Sequence, residues 1–217
     1  IHLLGLWLPR HSAPLDAELA RLRGHREERN LKILDKLRSI GINIGYQEVL
    51  DEAGGESVGR PHIARVLQKR GMVSNFAQAF ELYLGYYGAA YVPRTLLTPE
   101  EGVSLMADLG AVVSFAHPML IRCPPSWFDE IIPRLKEAGL GAIEAYHSEH
   151  SARDERFCVE LAARYGLGLS GGSDYHGMAK PGVELGRGKG GLRVTVALLD
   201  ALKARRKRPV DDAPEVL

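Results

Sequence analysis

Apolar positions recur with two periods along this chain, and the change from one to the other divides it. From Leu15 to Ile40, the residues Leu19, Leu22, Ile33, Leu34 and Leu37 return at roughly helical spacing, and Gly41 stands where a helix should stop. "GYQEVLDEAGG" reads as a short helix closed by Gly54 and Gly55. "RPHIARVLQKRG" reads as a second, with Pro61 in its first turn and Gly71 at its end, and "SNFAQAFELYLG" as a third, with Ser74 as its N-cap. After "TPEEGVSLMADLG" the rhythm changes. "AVVSFAHP", "GAIEAYHS" and "LGLSGGSD" are short apolar, partly β-branched runs, and the helical stretches "SWFDEIIPRLKEAG" and "SARDERFCVELAARYG" separate them. In the second stretch Ser151 and Asp154 have capping-box spacing, with Asp in place of Glu. The opening "IHLLGL" is a fourth strand-like run. Gly171 and Gly172 are expected to turn the chain abruptly after the last one, because glycine tolerates positive φ.

Strands alternating with helices over short loops predict βα units around a parallel sheet. The expected layout is a barrel part over 1–41, a small all-helical insertion over 42–92, the rest of the barrel over 93–202, and a basic end with a flexible tail over 203–217. Composition leaves this picture in place: 217 residues, 45% hydrophobic and 25% charged, suit one substantial core with a smaller insertion. A net charge of +1 gives no global field for long nucleic acid or membrane, so any anion site must be local. The basic end "KARRKRPVDDAPEVL" is expected to be solvated. Cys123 and Cys158 form no C-x-x-C pair, which points to a reducing, cytoplasmic setting. No apolar run reaches membrane-spanning length, and the opening lacks the basic region and cleavage site of a signal peptide. It begins without methionine inside a strand-like run, and the expectation is a cut edge.

Ionisable residues gather at the ends of the strand-like runs. His117 closes "AVVSFAH", Glu144 and His147 lie toward the end of "GAIEAYHS", and Asp174 and His176 follow "LGLSGG". In a parallel α/β fold the C-terminal strand ends form one rim, where active sites sit. His117 with Asp174-x-His176 therefore predicts a divalent metal site, with His2 as a further candidate ligand; imidazole and carboxylate suit zinc, manganese or iron. Glu144 reads equally as a ligand or as a partner for a neighbouring arginine or backbone group. His147 and His150 are expected to serve the turn and the helix start, and His11 and His25 show no site context. A second cluster is basic. Arg60 and His62 open a predicted helix, where free N–H groups favour anions, while Arg26, Arg29 and Arg122 read singly as solvated.

Taken in order, "IHLLGL", "GRPHIARVLQKRG", "YLGYYGAAYVP", "SFAHP", "LGAIEAYHSEHS" and "GGSDYHG" resemble the PHP (polymerase and histidinol phosphatase) superfamily. The nearest branch is that of nucleoside 3′,5′-bisphosphate phosphatases, which also act as 5′→3′ exoribonucleases on short RNA. The resemblance covers the chain to about Arg193 and implies a distorted (β/α)7 TIM-like barrel, here N-terminally incomplete, with a helical insertion and a two- or three-metal cluster. It implies metal ligation by His2, His117, Asp174 and His176. Asp174 and His176 would orient the nucleophile, and Arg60 and His62 would bind substrate phosphate. Manganese is the expected ion, with zinc, iron or magnesium as alternatives. The expected partner is a small phosphorylated nucleotide or short RNA, without membrane or long nucleic acid. The family's "AHPGR" is "AHPMLIR" here, which puts the phosphate role of Arg122 in doubt. Its opening H-x-H…D motif, the "TDHDT" motif and the "GxE" strand that follows them do not occur in this chain. The alternatives are a truncated or degenerate non-catalytic PHP module, histidinol phosphatase activity, or another metallohydrolase reaction such as amide hydrolysis.

Overall fold

Each strand-like run forms a strand, and period-2 alternation decides which residues meet the core. In the computed structural model, which describes residues 1–55, 57–177 and 180–206, β1 (His2–Leu6), β2 (Val112–Ala116), β3 (Leu140–His147) and β4 (Gly168–Gly172) form one sheet in that order. Val113 and Phe115 on β2, with Ile143 and Ala145 on β3, point to one face. There they pack on Val103 of α5 (Pro99–Asp108), on Phe128, Ile132 and Leu135 of α6 (Ser126–Glu137), and on Cys158 and Leu161 of α7 (Ala152–Tyr165). The opposite face carries small and polar side chains. Ser114 and Ser170 share a buried 2.6 Å hydrogen bond there, and Val112 and Ala142 meet Leu202 of α8 (Val196–Lys203).

The strands β2, β3 and β4 run parallel, as the βα rhythm predicts, but β1 is antiparallel to β2. The register sets His2 opposite Ala116, so the start of β1 meets the end of β2. A parallel β1 would carry His2 to the far edge of the sheet. Four strands among the described residues make a mixed α/β sheet; a closed (β/α)7 barrel has seven.

The expected caps are present at most helix ends. Ser151 Oγ accepts from Asp154 N–H while Asp154 Oδ2 accepts from Ser151 N–H at 2.9 Å, and Thr98 with Glu101 does the same ahead of α5. Residues Ala13–Leu96 form a separate helical unit, with the remainder of the chain as the other. The helical unit holds α1 (Ala13–Ser39), α2 (Tyr46–Ala53), α3 (Arg60–Lys69) and α4 (Phe76–Ala79), with a core that includes Ile33, Leu37, Ile63 and Leu67. Gly54, at φ 56°, ends α2 in the left-handed region as expected. The third predicted helix departs in two respects. Its cap is Asn75 rather than Ser74, since the Asn75 side chain accepts from Gln78 N–H at 2.9 Å. After one turn it widens into a π-helix over Phe80–Leu84. Most of the basic end expected over 203–217 lies outside the described residues. No helix among those described is long and apolar enough to cross a membrane.

Candidate metal centre

The ends of four strands bring His2, His117, His147, Asp174 and His176 to one rim. His2 Nδ1 and His117 Nε2 lie 3.1 Å apart, and the rings of His117 and His147 are 5.5 Å apart. His147 Nε2 is 3.7 Å from Asp174 Oδ2, and His176 Nδ1 is 3.4 Å from Asp174 Oδ1. The backbone is bent to this end. His117 at φ 32° and Asp174 at φ 54° are non-glycine residues in the left-handed region, a conformation that concentrates at functional sites. The turn at His117 lets its N–H donate to Glu144 Oε2 at 2.7 Å.

The glycines of β4 serve a purpose other than the expected turn. Neither Gly171 nor Gly172 has positive φ. A Cβ on Gly172 would stand 2.8 Å from Glu144 Oε1, and one on Gly171 would stand 2.8 Å from the Tyr146 carbonyl. The missing side chain of Gly172 makes room for the Glu144 carboxyl under the rim, and that of Gly171 lets Tyr146 of β3 approach closely. Burial, with Asp174 adding to it, pushes the Glu144 carboxyl up to about 7 against the pull of the His117 N–H. Near neutral pH this acid is half protonated.

Hydrogen bonds fix which imidazole nitrogens are free. A carbonyl only accepts, so His176 Nδ1 donates to Asp174 O at 2.9 Å and His150 Nδ1 donates to Ala145 O at 2.9 Å. Each therefore leaves an Nε2 lone pair, and a backbone carbonyl behind the other nitrogen is how ligating histidines are oriented. His147 is the reverse. Its Nδ1 accepts from Glu149 N–H at 3.1 Å, so its proton sits on the buried Nε2 facing Asp174. Burial, then His150, depress its pKa to about 4, so the ring is neutral. Asp174 is raised by burial, but Lys180, whose Nζ lies 2.6 Å from Oδ2, outweighs this and holds the carboxyl below its ordinary value.

These donors suit a divalent cation in pairs: His2 with His117, and Asp174 with His176. The buried nitrogens His117 Nδ1, His147 Nε2 and His150 Nε2 have no partner, which marks the rim as polar and underfilled. Among the described residues no group of three or more His, Cys, Asp or Glu is placed to hold one ion.

No family model matches the chain. It is 30% identical over 176 residues to a 5′-3′ exoribonuclease of Haemophilus influenzae, covering 81% of this chain and 64% of that protein. It is 27% identical over 212 residues to the 3′,5′-nucleoside bisphosphate phosphatase of Chromobacterium violaceum, covering 97% and 74%. A crystal structure from Bifidobacterium adolescentis, assigned as a metal-dependent phosphoesterase, superposes with a TM-score of 0.70 at 26% identity, over 95% of this chain and 72% of that one. These likenesses agree with the resemblance to the PHP superfamily that the motifs carry. The chain spans less than two thirds (64%) of the length of the exoribonuclease it matches.

The four residues expected as ligands do share the rim, and Glu144, read both ways from sequence, supports it from beneath. His147 and His150 do serve the turn: His147 O accepts from His150 N–H at 3.0 Å. Arg60 and His62 lie in the helical unit at the start of α3. His62 is buried and its Nδ1 accepts from Gly59 N–H at 3.1 Å, so part of its work is capping. Arg60 Nη1 donates to Leu84 O at 2.8 Å, and its guanidinium stands 5.6 Å from the Phe80 ring centre.

Proposed function

We propose that this chain carries a metal-dependent phosphoesterase activity, hydrolysing phosphate esters of nucleoside 3′,5′-bisphosphates or short oligoribonucleotides. The observation that carries this reading is the meeting of His2, His117, Asp174 and His176 at one rim, with His176 in the tautomer a cation needs. In this reading those residues would hold divalent ions in pairs, His2 with His117 and Asp174 with His176, manganese before zinc, iron or magnesium. A divalent ion in such a site supplies charge stabilisation at the phosphoryl oxygens. Asp174 and His176 orient the attacking water, and Arg60 and His62 bind a substrate phosphate. Glu144, half protonated near neutral pH, holds a proton beneath the rim and steadies the His117 backbone. The finer fold belongs to the same reading: the sheet is one wall of a distorted (β/α)7 barrel, 42–92 is its insertion, and the protein works in the cytoplasm.

The exoribonuclease and phosphatase names of the relatives support the substrate class. The absence of a three-donor group among the described residues favours one second reading, a non-catalytic PHP module. Phosphate release from adenosine 3′,5′-bisphosphate with manganese separates the two. The first reading expects release that chelator abolishes and Asp174→Asn lowers at least about a hundredfold. No release from this substrate or from a short oligoribonucleotide under any divalent ion would leave the second.

A further inference from the structure

The helical unit shows two aromatic side chains to solvent at one turn, and nothing in the phosphoesterase reading uses them. Tyr86 is 71% exposed and Tyr87 is 94% exposed. Rings left this far in water forgo the large burial gain that aromatic side chains offer. The turn that displays them is held by main-chain hydrogen bonds. The π-helix over Phe80–Leu84 closes with Gly85 N–H donating to Phe80 O at 2.7 Å. The returning chain then donates from Ala89 N–H to Leu82 O at 3.0 Å and from Ala90 N–H to Tyr83 O at 2.9 Å. Gly88 permits this close return, since a Cβ there would stand 2.5 Å from the Tyr83 carbonyl oxygen. A braced backbone therefore presents both tyrosines.

Their rings form an open cluster. Tyr86 and Tyr87 meet edge to face, with centroids 4.9 Å apart at 88°, and Tyr86 lies 5.2 Å from the Tyr91 ring. In an edge-to-face pair the edge of one ring covers one face of the other, so flat π surface stays open. Basic charge stands beside it. Lys36 Nζ donates to Tyr91 O at 2.6 Å, and Lys32, one turn back along α1, shares the exposed face of that helix. Among the described residues neither lysine forms an ion pair, and Asp35 beside them is taken by Arg38 at 2.9 Å. Size argues against a protein partner. Two tyrosines offer about 300–500 Å² between them, short of the roughly 800 Å² that each side of a stable protein interface buries. Open rings flanked by ammonium groups instead match a single strand, whose bases stack on aromatic faces while its phosphates meet cations.

We propose that Tyr86 and Tyr87 form a stacking platform for unpaired bases of an oligoribonucleotide, with Lys32 and Lys36 meeting the strand's phosphates. The choice of RNA as ligand rests on the phosphoesterase reading, but stacking itself requires neither metal nor hydrolysis.

The test is fluorescence anisotropy with the whole chain, in chelator, using a labelled pentariboadenylate and an abasic strand of the same sugar–phosphate length. Wild type should bind the base-bearing strand at least about tenfold tighter, since stacking of a single base accounts for that much. The Tyr86→Ala/Tyr87→Ala variant should bring the two strands within about twofold of each other. Tyr86→Phe/Tyr87→Phe should keep the preference, because the rings remain. Both variants alter only exposed side chains, and circular dichroism checks the fold. Lys32→Ala/Lys36→Ala should weaken both strands alike and lower their salt dependence by about two phosphate contacts. Equal affinity of wild type for the two strands overturns the proposal, as does no binding of either, or a preference that survives in the alanine variant. Sedimentation at the same concentrations reads the rival occupant: a wild-type dimer that Tyr86→Ala/Tyr87→Ala dissolves would assign the rings to a second copy of the chain and overturn the proposal. Base-dependent binding without phosphate release from any substrate would overturn the enzymatic reading and leave this one standing, and release without base preference would do the reverse.

Discussion

Replacing Glu144 by Gln tests how the rim is built. The carboxyl is 4% exposed and its pKa stands at about 7, against 4.5 for an ordinary glutamate. Between these values the folded chain keeps a proton that the unfolded chain has lost. Stability should therefore be fullest below about pH 4.5 and fall as pH rises towards 7. The displacement corresponds to about 3 kcal/mol, an order-of-magnitude figure. His147 works against it in the same window. Its pKa is depressed from 6.5 to about 4, so its contribution is present above pH 6.5 and is lost as pH falls towards 4. Between about pH 4.5 and 6.5 these two contributions oppose each other, and only the difference between wild type and Glu144→Gln isolates the carboxyl. Gln keeps an oxygen for the His117 N–H, now 2.7 Å from the carboxylate. In chelator, the variant should match wild type near pH 4.5 and exceed it by up to about 3 kcal/mol at pH 8. Denaturant unfolding followed by tryptophan fluorescence reads this directly, because Trp7 and Trp127 both lie in the unit that holds the sheet. A difference that stays constant from pH 4.5 to 8 would refute the reasoning.

Gly172→Ala should destabilise the sheet unit by about 1–3 kcal/mol in the same assay, because its Cβ would press on Glu144 Oε1; a change within about 0.5 kcal/mol would mean the carboxyl moves freely. Arg60→Ala should weaken phosphate binding with little loss of stability. His62→Ala should lose about 1 kcal/mol of stability as well, since it removes the acceptor for Gly59 N–H; thermal melts beside phosphate titrations would show equal stability for both if the capping role is wrong. Lys180→Met removes the ammonium 2.6 Å from Asp174 Oδ2. It should tighten manganese binding by about tenfold, roughly 1.4 kcal/mol, in calorimetry, whereas unchanged affinity would mean that Lys180 does not compete with a cation.

The alternation of apolar positions was enough to place all four strands and the helices between them, because burial on one face is what the pattern records. Strand direction is not recorded in it. "IHLLGL" reads the same parallel or antiparallel, and only the pairing of His2 with Ala116 explains how a residue at the start of a strand reaches the C-terminal rim. Gly171 and Gly172 were legible as special but not in kind, since a glycine needed for close approach looks identical in sequence to one needed for a turn. His62 was legible as a helix-start residue, but the same spacing serves a cap and an anion ligand. Arg29 carried no motif and reads from sequence as solvated; its burial, with Nε donating to Val92 O at 2.8 Å, emerges only from packing.

Residues from separate strand ends converge, in the function proposed above, to bind divalent ions at one rim. Titration of the whole chain with manganese, with free Mn2+ read by electron paramagnetic resonance, tests it most directly. Wild type should bind the ion, and His117→Ala and Asp174→Asn should each weaken binding by at least about tenfold while keeping native circular dichroism. Equal manganese binding by all three proteins, or none by wild type at millimolar ion, would contradict it.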